Sequence, residues 1–440
     1  MGLERAIRAA VRNGRLEPGE RLPSTRALAR DLGLARGTVA EAYAQLAAEG
    51  YLRTSHGAPT RVAPEPRTPA ASATAPLPAR APRFSLEAGV PDLSAFPRAA
   101  WQTALRLALA SAPDRALGPG DPRGRPELRA ALSSYLGRAR GVLTDPEQIV
   151  ICAGFTEGLA LLAAALRARG TPTVAMENPC LHHHRDIAAA NGLTVAALAV
   201  DEHGAVADIP ANAGAVVLTP AHQFPLGATL APERRAAFVG WARSRNTVVI
   251  EDDYDGEFRY DRQPVGALQG LDPDHVVYAG TASKTLAPAL RLGWLVLPAA
   301  LFESVIEAKQ LIGATHTLEQ LALAELIRSG VFDRHVRRMR QRYRHRHDQL
   351  LALLAERAPA MRPRGIAAGL HVVLEPAADT LREEKLITRA ANHSLALEGL
   401  HAYWHGDAGG APGVVLGYAA PAEHEYPATL AALHAALRPG

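Results

Sequence analysis

The sequence predicts a multidomain chain: a small helical module with a wing, a proline- and alanine-rich linker, and a large α/β domain with a smaller α+β subdomain at its end. Three observations carry that expectation. A helix-turn-helix pattern fills the chain up to residue 62. A proline-dense stretch almost free of large apolar residues follows it. Beyond residue 84, short β-branched runs alternate with helical ones.

At 440 residues the chain is long enough for a large core and more than one domain. A formal net charge of +4 is small for that length, so any nucleic-acid signal must come from local arrangement. Cys152 and Cys180 are the only cysteines and cannot staple a chain of this size, which favours a reducing compartment. The opening "MGLERAIRAAVRNGRLEPGERL" is punctuated by charge, unlike a signal peptide, and no uncharged apolar run approaches the roughly 18 residues of a membrane span. A soluble, cytoplasmic protein with no membrane attachment is expected.

In the N-terminal module, residues 3–13 are amphipathic and Gly14 ends the helix. "PSTRALARDLG" starts with a Ser24 or Thr25 cap and stops at Gly33. "ARGTVAEAYAQLAAEG" follows after a short turn, placing Leu28, Leu32, Val39, Tyr43 and Leu46 at core spacing. "GYLRTSHGAPTRV" supplies two extended runs around His56-Gly57, which make a wing. Arg26, Arg36, Arg53 and Arg61 fall at the turn, the start of the third helix and the wing, where phosphates and base edges would be met. An arginine-rich protein-interaction module is the alternative on these residues. The expected boundaries are 1–62 for this module, 63–83 for the linker, 84–334 for the large domain and 335–440 for the small subdomain.

Seven runs in the large domain read as strands: "QIVICAG", "TPTVAMEN", "LTVAALAV", "GAVVLTPA", "NTVVIEDD", "HVVYAG" and "LGWLVLP". Their alternation with helical stretches argues a largely parallel sheet with function at the strand ends. "ICAGFTEGLALL" sets Gly154 at a strand-to-helix junction, where the backbone N-H groups of Gly154, Phe155 and Thr156 suit an anion, although such a glycine needs no ligand. In "VVIEDDYDGEFRY", Asp252 and Tyr254 are two apart and share a face; strand-end acids also serve as metal ligands and caps. The His182-His183-His184 run and His222 lack the paired spacing of a closed metal site, so no metal is expected.

The chain has only three lysines, Lys284, Lys309 and Lys385, against 45 arginines. Lys309 and Lys385 sit in helical patterns and fit solvated surfaces. Lys284 instead follows Thr281 and Ser283 directly after a strand, with Arg291 seven residues on. An amine in a partly desolvated pocket near cations becomes nucleophilic and forms a Schiff base with an aldehyde. Arg291 and the Ser283 and Thr281 hydroxyls suit a phosphate on the same ligand. A Schiff-base lysine, phosphate donors and a strand-end Asp together describe pyridoxal 5'-phosphate, whose ring nitrogen the Asp keeps protonated.

The stretch "GRLEPGERLPSTRALARDLGLARGTVAEAYAQLAAEGYL" resembles the winged helix-turn-helix of GntR-type transcriptional regulators. The resemblance implies that the helix opening at Arg36-Gly37-Thr38 enters the major groove, with Ser24, Thr25 and Arg26 at the DNA backbone. Residues 84–440 resemble the fold-type I aminotransferase-like domain of pyridoxal-phosphate enzymes, through "GDPRGRPELRAAL", "TPAHQFPLG", "EDDYDGEFRY" and "SKTLAPALRLGW". Together the two parts resemble the MocR subfamily. That resemblance implies Lys284 as the Schiff-base lysine, Asp252 on the pyridine nitrogen and Tyr254 on the ring hydroxyl. It implies Ser283, Thr281 and Arg291 on the phosphate with the Gly154 to Thr156 turn, and His222 as a further cofactor contact.

Three positions depart from that pattern. Pro119 and Gly120 precede "DP" where a tyrosine is common. Leu181 stands where an aromatic usually stacks on the ring, so His182 or His183 would substitute. Val415 stands where a late strand carries a carboxylate-clamping arginine, a role left to Arg185 as the expected effector contact. A dimeric regulator that senses pyridoxal phosphate or its adduct with an amine or amino acid is expected, with little or no transaminase turnover. The alternatives are an active aminotransferase with an accessory DNA-binding module, and a DNA-binding protein with a cofactor-free dimerisation domain.

Overall fold

The computed structural model describes residues 2–55, 58–64, 82–260, 265–376, 382–406 and 410–438. The chain divides into two compact units, Met1–Ala81 and Pro82–Gly440. Most of the expected linker, residues 65–81, and the wing tip at His56-Gly57 lie outside the described residues.

In the first unit, helices Leu3–Arg12, Thr25–Leu32 and Arg36–Ala48 precede a two-stranded antiparallel wing, Leu52–Arg53 with Arg61–Val62. Ser24 is the cap of the second helix: its hydroxyl accepts from the Ala27 N-H at 3.2 Å, satisfying one of the free donors of the first turn. Gly33 ends that helix at φ 65°, a left-handed conformation that glycine adopts without strain. Ile7, Ala29, Val39, Tyr43, Leu46, Leu52 and Val62 form the core. Leu32, expected inside, is half exposed, because its place at the last helical turn leaves Ala29 and Leu28 to face the third helix.

All seven expected strands form in the second unit, joined by a short eighth. They are β1 (Ile149–Cys152), β2 (Thr173–Asn178), β3 (Thr194–Asp201), β4 (Gly204–Ala205), β5 (Ala215–Leu218), β6 (Val248–Asp253), β7 (Val276–Thr281) and β8 (Gly293–Val296). Their order across the sheet is β1-β8-β7-β6-β5-β2-β3-β4. The run from β7 to β3 is parallel, and β8 is antiparallel to both neighbours. Both faces are covered, which explains the near-continuous apolar strands. Along β1, Ile149 and Ile151 enter one core while Val150 and Cys152 enter the other, as a two-residue period requires.

A four-stranded antiparallel sheet, Met361–Arg364, Val372–Pro376, Val414–Leu416 and Glu398–Gly399 in that order, forms the small subdomain. The expected boundary at 334/335 falls inside the helix Val331–Arg357, whose Phe332, Val336, Met339, Tyr343, Leu350 and Leu354 keep one buried stripe across it. Phe84–Ser85, early in the expected large domain, pairs in parallel with Leu395–Ala396 of the small one.

Candidate functional site

A cavity of about 310 Å³ opens at the C-terminal ends of the parallel strands, where an open α/β sheet binds ligands. Lys284, Asp252, Tyr254, Thr281, Ser283, Arg291, Gly154, Phe155 and Thr156, all expected from the sequence, line it.

The sheet register brings together the end where an anion is expected from the sequence. Thr281 of β7 sits opposite Gly293 of β8, and Gly293 opposite Cys152 of β1, so the loops beyond all three strands converge. Gly293 has to be glycine, since a Cβ there would lie 2.9 Å from the Gly154 Cα. The helix Phe155–Ala168 starts after Gly154, at φ 83°, with no side chain capping it, so its free N-H groups face the cavity wall. Arg291 reaches this turn: a Cβ on Gly154 would lie 3.7 Å from its Nη1. The Thr281 hydroxyl lies 2.9 Å from Ser283 Oγ and 3.2 Å from the Leu292 carbonyl oxygen.

Behind this turn stands a residue that the sequence placed wrongly. Lys309 is fully buried, not solvated, and its Nζ donates to Glu157 Oε1 and, at 3.1 Å, to Thr315 Oγ1. Glu157 in turn accepts from the Ala153 N-H at 2.5 Å, so a buried ion pair steadies the first turn of the helix.

At the amine end, Lys284 Nζ donates to the Gly89 carbonyl at 2.6 Å. Burial holds this amine below the usual lysine range, opposed by the Asp252 and Asp255 carboxylates. Asp252 is buried and accepts no hydrogen bond from the described residues. Burial pushes its carboxyl well above the usual range, with Lys284 opposing and Asp253, Asp255 and Glu177 adding to the shift. Asp253 points the other way, into a buried pair with Arg140 at 2.6 and 2.9 Å, and accepts from the Tyr278 hydroxyl at 2.8 Å. Period-two alternation thus divides the acidic run into a cavity-facing and a structural carboxylate.

Two expected contacts stand elsewhere. His222 does not line the cavity; it lies behind Tyr254, whose hydroxyl donates to the His222 carbonyl at 3.0 Å. Its Nδ1 is 2.9 Å from Asp255 Oδ2, and Phe224 takes the cavity wall instead. The loop turns its apolar residue inward because the imidazole is satisfied by Asp255 beneath. His222, Asp255 and His371 offer ligand atoms within 4.8 Å of one another, a grouping across sequence that spacing did not reveal. Hydrogen bonds hold it together, His371 Nε2 lying 3.0 Å from the Pro225 carbonyl oxygen.

Arg185 is also absent from the lining. Its guanidinium donates to the carbonyls of Tyr403 at 2.7 Å and Trp404 at 3.1 Å, bracing that loop. The expected ring-stacking substitutes His182 and His183 line the cavity, with Leu181 and His184 beside them. Burial lowers the His184 imidazole to about 3, so it stays neutral, edge-on to Phe155.

Sequence reasoning missed Gly89, Glu177, Thr219, Glu398 and Tyr403, all of which line the cavity. Glu177 is the penultimate residue of β2, as Asp252 is of β6, a strand-end acid that alternation could have flagged. Glu398 and Tyr403 come from the small subdomain and carry no local signal.

In the head, Ser24, Arg26, Arg36, Gly37 and Thr38 are exposed and Thr25 is half-buried. Arg36 opens the third helix, so Arg36, Gly37 and Thr38 share its N-terminal turn, the part of a recognition helix that reaches base edges. Arg53 is exposed, whereas Arg61 donates to the Gly19 carbonyl at 2.8 Å.

A winged helix-turn-helix head joined to a body of this kind defines a transcriptional regulator built on an aminotransferase fold. Residues 84–399 match the family of aminotransferases class I and II, and residues 2–62 match the bacterial regulatory proteins of the gntR family. The HTH-type pyridoxine biosynthesis transcriptional regulator PdxR of Corynebacterium glutamicum is 34% identical over 432 residues, 94% of this chain and 91% of that protein. The probable rhizopine catabolism regulatory protein MocR of Rhizobium meliloti is 33% identical over 79% of this chain and 75% of its own. Among solved structures, kynurenine aminotransferase of Pyrococcus horikoshii superposes with a TM-score of 0.71 at 24% identity, over 80% of this chain and 90% of its own, which shows the fold. The chain belongs to the MocR subfamily of GntR-type transcriptional regulators. Its GntR head implies DNA binding. No helix among the described residues is long and apolar enough to cross a membrane.

Proposed function

We propose that the chain is a cytoplasmic regulator that holds pyridoxal 5'-phosphate on Lys284 and changes its affinity for operator DNA when the cofactor, or an amine that reacts with it, occupies the cavity. The observation that carries this is Asp252: a buried carboxyl that accepts no hydrogen bond from the described residues and lines the cavity that Lys284 also lines. Burying an unpaired carboxyl is costly, and a protonated pyridine nitrogen is the partner that would relieve it. The uncapped helix start, Arg291, Ser283 and Thr281 suit the phosphate. Tyr254 suits the ring hydroxyl.

When bound, the cofactor supplies an aldehyde that condenses with primary amines. Lys284, its proton affinity lowered by burial, would hold the cofactor through Nζ. Asp252 would keep the ring nitrogen charged, and the Gly89 carbonyl accepts from Nζ when the amine is free.

A homodimer fits the chain's exposed apolar residues. Leu117, Leu311 and Ile312 are large and exposed, and they flank the place where Gly120 faces Ala314. One winged helix alone makes too small an interface for a specific operator. The relative named for pyridoxine biosynthesis supports a regulon concerned with this cofactor.

The test is spectroscopic. Protein purified with pyridoxal phosphate should show a visible band of lysine-bound cofactor, and Lys284→Ala should lose it while remaining folded. An unchanged band in the variant sinks the assignment. Affinity for DNA from the gene's own neighbourhood, measured with and without cofactor, should differ; equality argues against sensing.

A further inference from the structure

The wall of the cavity contributed by the small subdomain carries a carboxylate at the place where amino-acid recognition would call for a cation. Glu398 lines the cavity and sits directly opposite Val415 across an antiparallel pair, so both side chains share one face of the sheet. Val415 is fully buried in an apolar cluster with Leu226, Val373, Leu400 and Tyr403, against which Leu181 and Phe224 pack. The Tyr403 hydroxyl donates to Glu398 Oε2 and fixes the carboxylate, leaving Oε1 without a bond from the described residues. Arg185 braces the Tyr403 loop from behind through backbone carbonyls. Among the described residues, Arg291 is the sole guanidinium lining the cavity, and it stands at the Gly154 turn.

We infer that the effector is a primary amine without a carboxylate, whose short apolar chain ends in a second cationic group set on Glu398, as in an aliphatic diamine. The inference rests on the cofactor reading above and names the ligand class for the same site. The reacting amine meets the aldehyde carbon near Lys284, its methylenes lie along Phe224 and Leu181, and its far ammonium makes a charge-assisted hydrogen bond to Glu398. An amino acid of equal length would bring its carboxylate against Glu398, and that like-charge contact is the rejecting element. The exchange is balanced: the incoming nitrogen bonds to the aldehyde-derived carbon as the bond from Lys284 Nζ breaks. Both hydrogens of the incoming amine pass to Nζ, which leaves as a primary amine, and nothing is oxidised. The freed Nζ then has the Gly89 carbonyl as its acceptor.

The experiment titrates the full-length, cofactor-loaded protein with 1,4-diaminobutane, n-butylamine and 4-aminobutyrate, reading the shift of the visible band. The diamine should act at concentrations about tenfold lower than either of the others, the worth of one charge-assisted contact. Glu398→Gln should bring the three within about threefold, and its retained band shows that the site is folded. Equal or tighter binding of 4-aminobutyrate, parity of butylamine with the diamine, or an unchanged preference in Glu398→Gln overturns the inference while leaving the cofactor reading standing. A wild-type protein with no lysine-dependent band overturns both.

Discussion

Replacing Asp252 with Asn is expected to stabilise the cofactor-free protein and weaken its hold on pyridoxal phosphate. The carboxyl is 4% exposed, accepts no hydrogen bond from the described residues, and is raised well above its usual range, first by burial. An acid raised in the folded state contributes full stability only below its unfolded value, about 4, and loses it as pH rises toward the folded value. At pH 8 the unfolded chain ionises freely while the folded site opposes the charge, so the fold is weakened there. Asparagine removes the charge but leaves a buried amide, so the net gain is about 1 kcal/mol, the difference between unpaired charged and neutral polar groups. That corresponds to about 2 °C in Tm for a unit of this size. Binding moves the opposite way. The lost charge-assisted hydrogen bond to the pyridine nitrogen is worth about 1.5–3 kcal/mol, or about 10- to 100-fold in Kd. The assay is thermal unfolding of cofactor-free protein at pH 5 and pH 8, beside titration of the visible band. A variant that melts lower than wild type at pH 8 and binds cofactor unchanged refutes the reasoning, because a carboxylate placed for structure alone would give that pair of results.

Arg140→Met should cost about 3–5 kcal/mol in urea unfolding, since it strands Asp253 as a buried charge, and Asp253→Asn in the same chain should recover at least about 2 kcal/mol of that; strictly additive losses would show that the pair is not coupled. Glu177 is pushed up to about 7 by burial, opposed by the Thr219 and Gln223 hydrogen bonds. Its contribution to stability is therefore lost as pH rises from about 4.5 through about 7, and Glu177→Gln should flatten the dependence between pH 5 and 8 by up to about 3 kcal/mol, as read from denaturation midpoints. Arg36→Ala should weaken DNA binding. If Arg36 meets a phosphate, affinity falls alike for all sequences and the salt slope drops by about one, whereas selective loss at one base position marks a base contact.

Much of the cavity's strand-end lining was legible because its residues sit at strand ends in runs whose periodicity is local. Thr281 ends one strand with Ser283 and Lys284 just beyond, Asp252 and Tyr254 flank the end of another, and Gly154 joins a third to its helix. Strong β-branched runs and a two-residue period suffice for such placements. His222 shows where this stops: the motif named the loop, but only the buried Asp255 carboxylate decides that the imidazole turns away and Phe224 turns in. Lys309 shows the same limit, since a lysine in an amphipathic helix reads as solvated until a buried glutamate is found across the fold.

By itself the sequence determined the two-part organisation, the strands and their ends, and the amine, carboxylate and hydroxyl groups that line one side of the cavity, because each depends on neighbours within one element. The tertiary structure alone decided the opposite wall of the cavity. Glu398 and Tyr403 reach it from a separate sheet, Arg185 is drawn off to a backbone loop, and Val415 is sealed in an apolar cluster. Which charged groups face the cavity on this wall is set by contacts between residues more than 200 positions apart, such as Arg185 and Tyr403, and such contacts leave no periodic trace in the chain.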